Sequence, residues 1–206
     1  MNGPASPPVP EASLANGGWE KQEEQTETLF EMPGMRVRGT TLQYEDTRSR
    51  EALRKATHGA VDRQIRFFAL TRLGFEPSPP PGIGPAMFLP ILRTEVRRRF
   101  ADQLEQRGLT EIERGRSKRH RLPDRSRVRL RKFTARDKFG NRSLSLECWV
   151  GVWTSGSDVF VVSGGYPQIE LAEQLDLDTA DDILTRSPNQ YREEFFSLVR
   201  GVAAVE

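Results

Sequence analysis

The 206 residues carry 31 Lys and Arg against 29 Asp and Glu, so the formal net charge is +2, and 36% of the residues are hydrophobic. One cysteine excludes an internal disulfide, and two histidines leave little material for a metal site. The N-terminus lacks the basic and apolar regions of a secretory signal, and no apolar run is long enough to span a bilayer. We therefore expect a cytoplasmic protein with no transmembrane segment.

The first 26 residues are predicted to form a disordered, acidic, Pro-rich tail. They are almost all Pro, Ala, Gly, Ser, Glu and Gln, and such a segment buries too little apolar surface to offset the cost of ordering. Trp19 is the one residue of this tail that could dock, either on its own domain or on a partner. The remaining residues, 27–206, have the length of one domain.

In the first half of that domain, β-formers predict a strand at Met35–Tyr44, and Asp46 or Thr47 can cap a short helix after it. Alternating apolar residues from Ile65 to Phe75 then predict a long strand. The uncharged segment Pro77–Leu92 leads into the clearest helix of the chain, whose apolar positions recur at i+4: Leu92, Val96, Phe100 and Leu104.

From Leu109 the period changes to two, which predicts four consecutive strands joined mostly by short turns. Their expected bounds are Thr110–Leu122, Arg127–Asp137, Ser143–Thr154 and Asp158–Gly164. In the second of them Val128 and Leu130 are out of phase with Phe133 and Ala135, and a β-bulge near Arg131–Lys132 would restore one apolar face.

A capping box, Ser187-Pro188-Asn189-Gln190, marks the start of the final helix. The predicted order is therefore β-α-β-α-β-β-β-β-α. This is an α+β fold in which about three helices pack on a mostly antiparallel sheet, with a β-meander in the C-terminal half.

The segment Arg114–Arg136 holds eleven Lys or Arg against one acid, Asp124, a local net charge of +10. Two sets of basic residues alternate along predicted neighbouring strands, and together they could form a plate that neutralises phosphates of RNA or DNA. The candidate residues are Arg114, Arg116, Lys118, Arg127, Arg129 and Arg131. No aromatic residue interrupts the charge before Phe133, so we expect backbone binding of low sequence selectivity. The pattern favours a plain solvated sheet face, partly neutralised by the acidic segment Glu170–Asp182 or by the tail, and nucleic-acid binding is the alternative.

An apolar surface is the second candidate site, with a partner protein or a small apolar ligand as its occupant. Its residues would be Ile83, Met87 and Phe88 from the uncharged segment, together with Trp149 and Trp153. The same segment could instead rest on an anionic membrane, or it could be a loop that seals the core.

Catalytic patterns are weak. The chain has no phosphate loop and no dinucleotide fingerprint, and Ser163-Gly164-Gly165 does not match a nucleophile elbow. We expect no catalytic residue, no metal and no cofactor, and the pattern favours a non-catalytic binding or structural module. An enzyme with an unrecognised site remains the alternative.

Two stretches, Arg63–Pro85 and Glu147–Pro167, resemble a family of short uncharacterised proteins from halophilic archaea. The resemblance covers about residues 29–205 and rests on two tryptophans followed by Gly164-Gly165-Tyr166-Pro167. It implies membership of a family without a known activity, so it assigns no functional residue.

Overall fold

The computed structural model describes residues 3–203, which fold around a seven-stranded antiparallel sheet. Its strands are β1 (Trp19–Met32), β2 (Met35–Asp46), β3 (Phe67–Glu76), β4 (Leu109–Arg121), β5 (Arg127–Phe139), β6 (Arg142–Ser155) and β7 (Asp158–Pro167). Its helices are α1 (Glu11–Gly17), α2 (Thr47–Ala56), α3 (Leu89–Gln106), α4 (Leu171–Leu175) and α5 (Pro188–Val202), and a 3-10 turn spans Pro85–Phe88.

The strand order β1-β2-β3-β7-β6-β5-β4 results from two antiparallel meanders joined in the middle of the sheet. Helix α3 carries the chain from β3, the third strand in this order, to the far edge, and β4 to β7 then return strand by strand. Strands β1 and β4 are therefore the two edges, about 29 Å apart at about 4.8 Å per strand. Both edge strands contain register shifts, a feature that discourages edge-to-edge pairing.

Both faces of the sheet are buried. The first core lies under α2, α3 and α4, and it includes the apolar face of α3 that the i+4 spacing predicted. The second core lies under α1 and α5 and holds most of the buried aromatic residues, among them Trp149 and Trp153.

Burial on both faces corrects the predicted bulge at Arg131–Lys132. Strand β5 pairs with β6 in unbroken register from Arg129 to Phe139. Val128 and Leu130 pack into the second core, whereas Phe133 and Ala135 pack into the first. The phase change that suggested a bulge is instead the change from one core to the other along a regular strand.

The N-terminal segment, expected to be disordered, is ordered in the structure. Residues 11–17 form α1, and β1 begins at Trp19 and pairs along its length with β2. Leu14 and Trp19 are buried in the second core, so Trp19 docks on its own chain. Polar composition gave the wrong prediction because β1 is an edge strand. Backbone hydrogen bonds order such a strand, although most of its side chains face water.

The α+β class and the antiparallel sheet are confirmed, and so are the local start signals of two helices. Asp46 is the N-cap of α2, and Ser187 and Gln190 form the predicted capping box of α5. The predicted element order is incomplete because α1, β1 and α4 are missing from it, which gives five helices among residues 3–203 instead of about three.

Candidate functional site

Strands β4 and β5, which contain most of the basic stretch, are direct neighbours in the sheet. Arg119 lies opposite Arg129, and Arg121 lies opposite Arg127. Residues directly opposite in an antiparallel pair share one face, and like charges in such positions destabilise the pairing. Two successive arginine pairs are therefore an arrangement that costs stability.

Helix α3 places two further arginines beside these strands. Burial lowers the pKa of Arg93, and the nearby positive charges of Arg129 and Arg119 lower it further. Burial likewise lowers the pKa of Arg97, with contributions from Arg131, Arg129, Arg93 and Arg114. Arg93 and Arg97 thus each lie within electrostatic range of arginines on β4 and β5. We call these six residues the arginine cluster: Arg93, Arg97, Arg114, Arg119, Arg129 and Arg131.

The protein does not neutralise the arginine cluster. Within residues 3–203, no member of it forms an ion pair with a carboxylate, and the acidic segment Glu170–Asp182 forms none with it either. Arg131 donates to the backbone carbonyl of Gly115 at 2.9 Å, and the buried Nε of Arg93 has no hydrogen-bond partner. Asp124, the one acid of the basic stretch, accepts hydrogen bonds from Ser126 and Ser155.

The structure divides the six basic residues predicted from sequence. Arg114, Arg129 and Arg131 lie in the arginine cluster, and Arg127 extends it along β5. Arg116 is exposed inside the irregular part of β4, where the register shifts between Arg114 and Ser117.

Lys118 is on the opposite face of the sheet. It lies opposite Leu130, and its ammonium group sits 5.0 Å from the ring centre of Phe196 on α5. The ring of His120 is 4.3 Å from the same phenylalanine, and burial lowers the pKa of His120. The register shift in β4 explains the error, because it turns Lys118 to the other side of the sheet.

The charge of the sheet is polarised from edge to edge. Strand β1, at the edge opposite β4, carries five glutamates against one lysine: Glu20, Glu23, Glu24, Glu27 and Glu31, with Lys21. A separation of about 29 Å is several Debye lengths at physiological ionic strength. The acidic edge therefore does little to neutralise the arginine cluster.

The five residues proposed for an apolar surface are not brought together. Trp149 and Trp153 are buried in the second core, on the other side of the sheet from Phe88. Phe88 packs against Phe75 at 5.5 Å between ring centres and against the first core, as a sealing loop would. Met87 is 68% exposed, and with Ile83 and Ile91 it is one of the exposed large hydrophobic residues of this region.

A buried carboxylate, Glu147, lies at the centre of a polar network under α5. Its oxygens accept hydrogen bonds from Lys132 at 2.8 Å, Arg192 at 3.1 Å, Tyr166 at 2.6 Å and Trp149 at 3.1 Å. Burial alone would raise the pKa of Glu147, but these donors lower it from 4.5 to about 2. A carboxylate that stays ionised and fully hydrogen-bonded near neutral pH is suited to hold structure rather than to transfer protons.

A second buried network surrounds Arg66, which is 1% exposed. Its guanidinium donates to Asp46, the cap of α2, and to Glu194 of α5 at 2.9 Å. The same group lies over the rings of Trp19 and Tyr191, at 4.7 and 4.5 Å from their centres. Arg66 therefore connects β2, α2 and α5 with the N-terminal segment.

Little in the described residues suggests catalysis. No group of three or more potential metal ligands occurs in residues 3–203. Cys148 is buried in the first core, and burial raises the pKa of its thiol to about 12, which keeps it protonated and unreactive. The arginine cluster, whose members are exposed or half-buried and have no carboxylate partner in residues 3–203, is the strongest candidate site.

A cationic surface on an antiparallel sheet does not by itself identify a class of protein. Comparison with known proteins identifies the family of the chain. It belongs to a protein family described as a domain of unknown function (DUF6517), whose model matches residues 6–203. The match includes most of the segment that sequence reasoning assigned to a tail. No match was found among curated proteins.

The resemblance to an uncharacterised family is thus confirmed, while an origin in halophilic archaea stays an expectation. Among the described residues, no helix combines the length and the apolar composition needed to cross a membrane.

Proposed function

We propose that this protein is a non-catalytic binding module whose arginine cluster binds the phosphate backbone of a nucleic acid. The observation that carries the proposal is the convergence of Arg93 and Arg97 of α3 with the four members of the arginine cluster on β4 and β5, none of the six being paired with a carboxylate in residues 3–203. Guanidinium groups match phosphate oxygens in shape and charge.

The extent of the arginine surface favours a polymer over a single anion. Arg127 to Arg131 span about 14 Å of strand, a length of B-form duplex that carries about eight phosphates. One inorganic phosphate would leave most of the guanidinium groups unpaired. A polyanion brings several phosphates to several arginines and releases the counterions of each.

Base recognition has no support at this surface. Phe133, the aromatic residue nearest to the cluster in sequence, is fully buried in the first core. Stacking on exposed aromatic rings is the usual means of holding unpaired bases. The proposal is therefore backbone binding with little dependence on sequence.

The test compares two double variants with the same loss of charge. Arg129→Gln with Arg131→Gln should weaken binding of a fluorescent 20-base-pair duplex about 10- to 100-fold at low salt, measured by fluorescence anisotropy. The control is Arg98→Gln with Arg54→Gln, because both arginines are exposed and already paired with acids of their own helix. We expect the control to bind the duplex much as the unmodified protein does.

Three results would overturn the proposal. One is equal weakening by the two double variants, which would indicate net charge alone. Another is binding to anionic phospholipid vesicles without binding to any duplex or single strand. The third is self-association of the free protein at low salt, measured by sedimentation. In that case the acidic β1 edge of a second copy would occupy the arginine cluster and exclude the duplex.

A further inference from the structure

A cavity of about 280 Å³ lies on the other flank of α3, away from the arginine cluster. It opens between α3 and the face of the sheet formed by β1, β2 and β3. Leu29 and Phe30 of β1 form one apolar wall of it. The rest of the large apolar lining comes from β3, α3, β6 and β7: Phe67, Val96, Phe100, Leu104, Val150 and Val161.

The cavity exists because the helices do not cover the whole width of the sheet. Seven strands span about 29 Å, whereas one helix with its side chains is only about 10–12 Å across. Helix α3 packs mainly on β4 and β6, and a strip of the first face beside it stays partly open. Ala69 and Thr71 of β3 lie in this strip, where Ala69 is half-buried and its small side chain leaves room.

The rim of the cavity is polar and carries more positive than negative charge. Thr41 and Thr71 share a hydrogen bond of 2.8 Å between their hydroxyl groups. Arg107 lies 4.3 Å from the ring centre of Phe67 and donates to the amide oxygens of Gln64 and Gln43, at 3.0 and 3.4 Å. Both donations are to neutral acceptors.

The cations at the rim are not matched by acids. Neither Arg107 nor Arg99, the second arginine of the rim, forms an ion pair with a carboxylate in the part of the chain that the structure describes. Glu27 of β1 is the one carboxylate among the lining residues. An apolar floor beside a guanidinium with no acidic partner is complementary to a molecule with an apolar end and a negative end.

We propose that this cavity is a binding site for a small amphipathic carboxylate. The apolar chain of the ligand lies on Phe67, Phe100 and Val161, and its carboxylate reaches the guanidinium of Arg107. The volume equals that of about nine water molecules, which suits a ligand of roughly ten non-hydrogen atoms. The site shares no residue with the arginine cluster and does not depend on the proposed nucleic-acid binding.

The probe is octanoate, with octanol and octylamine as ligands of the same chain length and different charge. We expect saturable one-to-one binding of octanoate by calorimetry, together with a rise of the melting temperature as its concentration increases. Octanol should bind more weakly, and octylammonium should not bind.

Two variants separate the apolar and the charged parts of the site. Ala69→Phe fills the cavity and should abolish binding of octanoate and octanol while leaving duplex binding unchanged. Arg107→Gln should weaken octanoate binding about 10- to 100-fold and leave octanol unaffected, because it removes a charge-assisted hydrogen bond. Arg98→Gln, on the outer face of the same helix, is the control and should change neither.

Because Arg107 is on the surface, its variant tests the site even if Ala69→Phe impairs folding. The proposal would be overturned if no ligand showed saturable binding. It would equally be overturned if octanoate bound the folded Ala69→Phe variant normally, or if Arg107→Gln and Arg98→Gln had the same effect.

Discussion

Replacing Glu147 by Gln should lower the free energy of unfolding by about 3–5 kcal/mol. Lys132 and Arg192 are partly exposed, but the Glu147 side of the pair is buried. The amide would place a buried NH2 group among hydrogen-bond donors, and breaking a buried ion pair has this typical cost. Urea unfolding at pH 7 measures the change. Glu113→Gln is the matched control on the neighbouring part of the sheet, because Glu113 is exposed, and we expect it to change stability by less than about 0.5 kcal/mol.

The Glu147 network also predicts how stability depends on pH. The pKa of Glu147 is lowered to about 2 in the folded protein, against 4.5 without the network, so the unfolded chain binds the proton more readily. The stabilisation is fully present above about pH 4.5 and is lost as pH falls towards about 2. A shift of this size corresponds to about 3 kcal/mol.

Unfolding curves of the original protein and of Glu147→Gln, recorded between pH 7 and pH 2.5, measure this dependence. The difference between the two free energies of unfolding should narrow steadily below pH 4.5. Parallel pH profiles of the two proteins would show that Glu147 does not supply the stabilisation. A difference that widens at low pH would show that folding raises the pKa of Glu147 instead of lowering it.

Replacing Arg66 by Met should destabilise the fold by a similar amount, about 3–5 kcal/mol. Met fills much of the same volume, but it leaves Asp46 and Glu194 without the buried cation that they share. Stacking on Trp19 and Tyr191 is lost as well. Chemical unfolding monitored by the fluorescence of the three tryptophans, all buried in the second core, measures the change in stability.

The control for Arg66 is Arg72→Met on β3. Arg72 pairs with Asp158 in a half-exposed position, where an ion pair contributes only about 0–1 kcal/mol. Adding Asp46→Asn to Arg66→Met should recover part of the lost stability, because it removes the one carboxylate charge left unpaired, whereas Glu194 keeps its ion pair with Arg186 at 2.7 Å. Equal effects of Arg66→Met and Arg72→Met would contradict the structural role assigned to Arg66.

Much of the fold could be predicted because its signals are local. The i+4 spacing of α3, the capping box at Ser187 and the alternation in β6 depend on neighbouring residues, and the structure has each of them. The N-terminal strand could not be predicted in the same way. Its order comes from backbone pairing with β2 and from Trp19 docking on residues distant in sequence, and composition records neither.

The candidate site was predictable only in part. The count of charged residues along the chain identified Arg129 and Arg131. The strand period of two residues, however, put Lys118 on the wrong face of the sheet, because the register shift in β4 leaves no clear mark in the sequence. Arg93 and Arg97 join the cluster through the crossing of α3 over the sheet. That contact is set by tertiary packing, which the sequence does not encode locally. The sequence indicates only that the two arginines share a helix face, because they are four residues apart.

The central claim is that the arginine cluster binds the phosphates of a nucleic acid, and the salt dependence of duplex binding tests it most directly. If five or six guanidinium groups contact phosphates, the logarithm of the binding constant should fall against the logarithm of salt concentration with a slope of about −5. Arg129→Gln with Arg131→Gln should reduce that slope by about 2. A slope near zero, or one that the double variant leaves unchanged, would contradict the claim.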